Sequence, residues 1–197
     1  MRAIALITLV LKYNKRIFKS GCRSEQGRTF TARRTSVAAL KLLSHHLQVI
    51  QAHAERTYPE ECCGLLLGQL RGNTKILVDV LPTENSWDSQ SATFQAIEGS
   101  AGLESSKRRR FSIAPDVMLK AQKDARDRNL NIIGIYHSHP DHPAVPSEFD
   151  RAIAWQQYSY IIVSVQQGKA IDLKSWSLDD EHQFQPEEIF TASSSAD

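Results

Sequence analysis

The chain has 197 residues, 41% apolar and 23% charged, with nine Gly, seven Pro and three Cys. This composition excludes collagen-like, coiled-coil and wholly disordered chains, and no apolar run approaches the ~18 residues of a membrane-spanning helix. The net charge of +2 is uneven: residues 1–36 hold nine Lys/Arg against the single Glu25, a balance of +8, which leaves −6 for the rest. A basic head of this kind binds nucleic acid or anionic lipid, or is a poorly ordered extension. The second reading is the expectation here, with weak nucleic-acid contact by residues 1–36 as the most it predicts. The apolar stretch Ala3–Leu11 is followed by Lys12, Lys15 and Arg16 instead of a small-residue cleavage site, so a secretory signal is not expected. Three cysteines, two of them the neighbours Cys62 and Cys63, make no disulfide framework and point to a reducing cytoplasm.

Regular patterning begins near residue 37. Val37–Leu43 predicts a first strand, and Ser44 an N-cap for a helix over His45–Thr57, with Leu47, Ile50 and His53/Ala54 at helical spacing and Pro59 ending it. Gly64–Leu70 and Lys75–Leu81, separated by Arg71-Gly72-Asn73, predict a hairpin. Residues 86–108 are rich in Ser, Ala, Gly and Gln and predict a long surface loop. Pro115 opens a second helix to about Asn129, ahead of a strand over Asn131–Tyr136. A third helix is expected from Ser147 to Gln157, then strands at Tyr158–Val165 and Ile171–Leu178 joined through Gln166-Gln167-Gly168. The tail Thr191–Asp197 reads as frayed. The fold class is α/β: one domain over residues 37–190, a mixed sheet flanked by helices.

The informative segment runs from Tyr136 to Asp150. His137 and His139 are two apart at a strand end, so both imidazoles point to one face and can share a metal ion. Asp150, eleven residues after His139, allows a loop to turn and a helix start to deliver a carboxylate. Two His and one Asp leave one tetrahedral position for water, the layout of a catalytic zinc site. Ser147-Glu148-Phe149-Asp150 also reads as a capping box, whose side chains satisfy helix N-terminal amides. His142 reads as a rim residue of the loop.

Upstream, Glu60-Glu61-Cys62-Cys63-Gly64 places a carboxylate at the entrance to a buried strand, a position suited to a general base. Adjacent extended residues point apart, so one of Glu60 and Glu61 faces the site, and Cys62 and Cys63 cannot act as a joint metal pair.

These two elements together resemble the JAMM (MPN-plus) zinc metallopeptidase family: a Glu, then His-Ser/Thr-His, seven residues, Ser, two residues and Asp. Glu61, His137-Ser138-His139, Ser147 and Asp150 fill every position, and the resemblance leaves the basic head outside it. It implies one Zn²⁺ per chain on His137, His139 and Asp150, Glu61 as general base, Ser147 stabilising the oxyanion, and a curved mixed sheet between helices. The short stand-alone form with its Glu-Cys-Cys-Gly entrance is similar to bacterial members that act on ubiquitin-like sulfur-carrier proteins. Cleavage of an amide or isopeptide bond beside a carrier's C-terminal Gly-Gly is the expectation, with no membrane partner. Lys107-Arg108-Arg109-Arg110 reads as a solvated charge run, or as a grip on such a partner. The competing readings are a catalytically silent scaffold of the same fold, a DNA-repair-associated relative, and a nucleic-acid-binding module driven by the basic head.

Overall fold

The computed structural model describes residues 39–89 and 106–192. The basic head, the middle of the expected long loop and the last five residues lie outside the described residues. Strands and helices follow in the order β1 Ala39–Leu43, α1 Ser44–Thr57, β2 Cys63–Arg71, β3 Thr74–Thr83, α2 Pro115–Asp127, β4 Asn131–Pro140, α3 Glu148–Ile153, β5 Ser159–Gln166, β6 Lys169–Leu178 and β7 Phe184–Ala192. The expected mixed sheet with flanking helices is present, and its curvature proceeds to closure. The strand order is β1-β3-β2-β4-β5-β6-β7, and parallel pairing of β7 with β1 completes a barrel.

Strand alternation divides the apolar residues between two faces. On one face Leu40, Leu42, Leu66, Leu77, Ile133, Tyr136, Ile161 and Val163 form a core with Ile50 and Ala54 of α1. On the opposite face Leu65 and Leu67 pack under Ala121 and Ala125 of α2. The β5–β6 turn uses Gln167 and Gly168 at φ 49° and 78°, the pair of left-handed residues that a two-residue hairpin turn requires.

Four local expectations are corrected. Helix α1 begins at Ser44 itself, and the capping position is Leu43, whose N–H donates to His46 Nδ1 at 3.2 Å. Helix α3 ends at Ile153, short of Gln157. The Tyr160 hydroxyl takes the Trp155 N–H and donates to the Trp155 carbonyl, so those backbone groups are unavailable to a longer helix. Strand β4 continues past Tyr136 through the histidines to Pro140. Strand β7 has no counterpart in the sequence reading and includes Thr191 and Ala192 of the expected frayed tail. Its pattern is masked by Pro186 and by Glu187, a buried acid satisfied by Ser159 Oγ (2.8 Å), Ser175 Oγ (2.6 Å) and Lys75 Nζ (3.6 Å).

Gly64 faces Tyr136 across the β2–β4 pair, where an added Cβ would lie 2.3 Å from the Tyr136 ring and 2.6 Å from the Leu81 carbonyl oxygen. The Tyr136 hydroxyl is in turn bonded to His53 Nδ1 of α1 at 2.8 Å. Gly64→Ala is expected to push the ring off His53 and cost ~1–3 kcal/mol in denaturant unfolding, the usual range for overpacking. A variant as stable as the parent would show that Tyr136 is free to move.

Candidate metal centre

The centre forms where β4 ends. β4 pairs antiparallel with β2, Cys63 opposite His137, and parallel with β5, His137 opposite Ile162 and His139 opposite Ser164. This double pairing holds both imidazoles on the face opposite Tyr136. The loop after Pro140 is tied back by Ser164 Oγ, which donates to the His142 carbonyl at 2.7 Å, and α3 then presents Asp150.

His137 Nε2 lies 3.0 Å from His139 Nε2 and 3.4 Å from Asp150 Oδ1, and His139 Nε2 lies 3.7 Å from Asp150 Oδ2. A tetrahedral zinc ion with donors at ~2.0–2.1 Å requires donor–donor edges of about 3.3–3.4 Å. The three donors therefore fit one ion with small adjustments, and His137, His139 and Asp150 together can hold a metal. His139 Nδ1 pairs with the Pro143 carbonyl at 2.9 Å; since a carbonyl only accepts, Nδ1 carries the proton and Nε2 is left as a ligand. Phe111 stacks on the His137 ring at 4.5 Å between centroids.

Burial drives the His137 value down to about 4, so that ring is neutral and can ligate at physiological pH. Burial also opposes the charged form of His139, but the hydrogen bond and charge of Asp150, the charge of Glu61 and the Pro143 carbonyl outweigh it and raise the value above 6.5. Asp150 is disfavoured as an anion by burial. The two imidazoles and the Ser147 hydroxyl reverse this and hold it well below the usual carboxylate range.

The capping-box reading of the Ser147–Asp150 segment is borne out, and it leaves Asp150 available to the donor group. Ser147 is the N-cap of α3: its Oγ accepts the Asp150 N–H at 3.1 Å, while its own N–H and Oγ–H donate to Asp150 Oδ2 at 2.7 and 2.6 Å. Oδ1 stays directed at His137. The capping box thus orients the carboxylate that completes the donor set.

Glu61, His139, His142, Ser147, Phe149, Asp150 and Arg110 line one cleft of about 270 Å³. Glu61 is buried within it, whereas the exposed Glu60 lines a separate cavity with His53, Cys62 and Lys107. Burial pushes Glu61 up to about 8, against the opposing charges of His139 and Arg110. Cys62 joins the core, and Cys63 Sγ meets Thr83 Oγ1 at 3.4 Å, so neither thiol reaches the donors. His142 is exposed at the rim.

Sequence reasoning missed Asn85, which bonds the Glu61 and Arg110 carbonyls, and Phe111 on the His137 ring. The basic run divides: Lys107 pairs with Asp88 at 3.2 Å, and Arg110 lies 4.6 Å above the Phe149 ring.

This centre and barrel define a JAB-type domain. The sequence matches the family described as prokaryotic homologs of the JAB domain over residues 43–179, and the chain belongs to that family. A desampylase of Pyrococcus furiosus is 45% identical over 40 residues, a match that spans 20% of this chain and 29% of that relative. Among solved structures, a Desulfitobacterium hafniense protein superposes with a TM-score of 0.61 at 28% identity, covering 78% of this chain and 93% of its own. A Salinibacter ruber protein gives 0.56 at 28% identity, covering 81% and 94%.

Two outcomes are expected. Metal affinity falls as acid protonates ligands. The decline begins with His139, whose value is raised above that of an ordinary imidazole, and steepens near pH 4, where His137 joins it. Competition against a chelator at stepped pH tests this, and an apparent affinity that does not fall between about pH 7 and pH 5 would exclude His139 as a ligand. Asp150→Asn keeps an oxygen for the Ser147 donors but turns an NH₂ group to the imidazoles. Its metal-free melting should therefore match that of the metal-free parent, while its bound metal is lost. Full metal content in that variant would make Asp150 a cap alone.

Proposed function

We propose that this chain is a zinc-dependent hydrolase that cleaves an amide or isopeptide bond beside the C-terminal Gly-Gly of a ubiquitin-like or sulfur-carrier protein, in a reducing cytoplasm. The observation that carries the reading is one buried acid, Glu61, in the same cleft as His139 and Asp150, which converge with the buried His137 as three candidate donors. Membership of the JAB family and the partial match to a desampylase, named for removing a ubiquitin-like modifier, support the substrate class. Among the described residues, no helix is long and apolar enough to cross a membrane. A silent scaffold would have no need of the intact donor set.

Zinc would be held by His137, His139 and Asp150 and would supply Lewis acidity and a more acidic attacking water. Glu61 takes the proton from the attacking water and returns it to the leaving amine nitrogen. Its value of about 8 reflects the site's own groups, and a divalent charge at the donors favours the ionised form required of a base. Ser147 serves the oxyanion: its hydroxyl turns from Asp150 Oδ2 to the carbonyl oxygen, while its N–H keeps the carboxylate in place. One such donor is typically worth ~3–4 kcal/mol in the transition state.

The test is Glu61→Gln, which keeps the shape of the side chain and cannot accept the proton. It should retain zinc and fold normally, yet lose turnover of a Gly-Gly-linked amide by ~10⁴-fold, the upper end for general acid–base catalysis, since one residue serves both transfers. Glu60→Gln, facing the other cavity, should leave turnover nearly unchanged. A dead Glu60→Gln with an active Glu61→Gln would exchange their roles, and two active variants would overturn the hydrolytic reading.

A further inference from the structure

Glu61 precedes β2, and both of its backbone groups are satisfied outside the strand ladder. Its N–H donates to the Lys107 carbonyl at 2.7 Å, and its carbonyl accepts from Asn85 Nδ2 at 3.0 Å. The Asn85 side chain makes two bonds through each end. Nδ2 also donates to the Arg110 carbonyl at 2.9 Å, while Oδ1 accepts the N–H groups of Trp87 at 3.0 Å and Ser112 at 3.3 Å. All four partners are backbone groups, which uses both donor hydrogens and both acceptor sites of the amide. A further bond, Ser86 N–H to the Ser112 carbonyl at 2.8 Å, fastens the same two segments. The segment so held carries Phe111, stacked on His137, and Arg110, over Phe149 next to Asp150.

We propose that Asn85 is a positioning residue for Glu61, whose side-chain amide fixes the base relative to the metal ligands by joining the Glu61 and Arg110 carbonyls. The inference rests on the hydrolytic reading above. Asn85 lines the cavity shared with Glu60, not the cleft of Glu61, His139 and Asp150, and its amide is spent on four backbone groups, so it acts through Glu61. Without the amide, two carbonyls lose a donor and Glu61 is held only through its N–H. A displacement of about 1 Å at a reacting group can cost ~10²-fold in rate.

A double-mutant cycle on the full, zinc-loaded chain tests the proposal with a Gly-Gly-linked amide, with zinc content and thermal melting measured for every variant. Asn85→Ala removes the clasp, and Asn85→Asp keeps the two accepted bonds while losing both donated ones. Each should lower kcat by ~10²-fold with KM and zinc content unchanged. In the Glu61→Gln background each should change kcat by no more than roughly twofold, because residues that act as a unit are non-additive. An equal loss in both backgrounds overturns the proposal, since Asn85 would then act independently of the base. Loss of the cooperative melt in both Asn85 variants makes it a folding residue and overturns it as well. A wild-type chain inert towards the amide overturns the hydrolytic reading and this inference together. An active chain with a ~10⁴-fold loss in Glu61→Gln and an additive cycle overturns this inference alone.

Discussion

The centre depends on the register between β2 and β4. Cys63 stands opposite His137, and the pairing is reinforced where the Cys62 N–H meets Ser138 Oγ at 2.8 Å and the Ser138 N–H meets the Cys62 carbonyl at 3.2 Å. A slip of one residue would exchange the faces of the strand, send His137 and His139 into the core beside α1, and bring Tyr136 out. Tyr136 resists that exchange, being fully buried and bonded to His53. Parallel β5 secures the other edge of β4. The same register fixes where β2 begins, and so sets Glu61, two residues before Cys63, at the mouth of the histidine-bearing face.

Burying charge in this fold is tolerated only where partners are supplied. Glu187, at an inward position of the barrel-closing strand, has two hydroxyl donors and an ammonium group within reach. Asp150 has two donors from Ser147 on one oxygen and imidazoles facing both. The helix cap and the ligand do not compete, because a carboxylate has enough lone pairs for both tasks and the cap sets the angle at which the rest are offered.

How much of this was legible in the sequence follows from which interactions are local. The hairpin at Gly72 and the Ser147 cap each depend on neighbours a few residues away, so spacing sufficed to place them. Strand β7 could not be seen because Glu187 reads as exposed until Lys75, Ser159 and Ser175 are brought to it from other strands. The premature end of α3 depends on Tyr160, a residue of the next strand. Asn85 was hidden for the same reason: it sits 24 residues from Glu61 and 25 from Arg110, and its bonds all go to backbone groups that carry no sequence signature. The three candidate donors were legible as a set because their spacing is a motif, whereas their distances required the fold.

Two buried carboxylates share the cleft, and their surroundings push them in opposite directions. Glu61 is raised to about 8 by burial, with His139 and Arg110 acting only through their charge. Asp150 suffers the same burial but is drawn below the normal range by the imidazoles and Ser147. Such divergence separates a group that stays ionised from one that can carry a proton during a reaction. Its origin is in the order of residues: only Asp150 stands three places beyond a helix-capping Ser, where the backbone itself delivers a donor to the carboxylate. Glu61 comes before its strand begins, and its N–H is already committed to Lys107, so its carboxylate is left without the local donors that would lock it as an anion. The position of each acid relative to the start of its own secondary-structure element therefore makes one a permanent anion suited to ligation and leaves the other a proton to exchange.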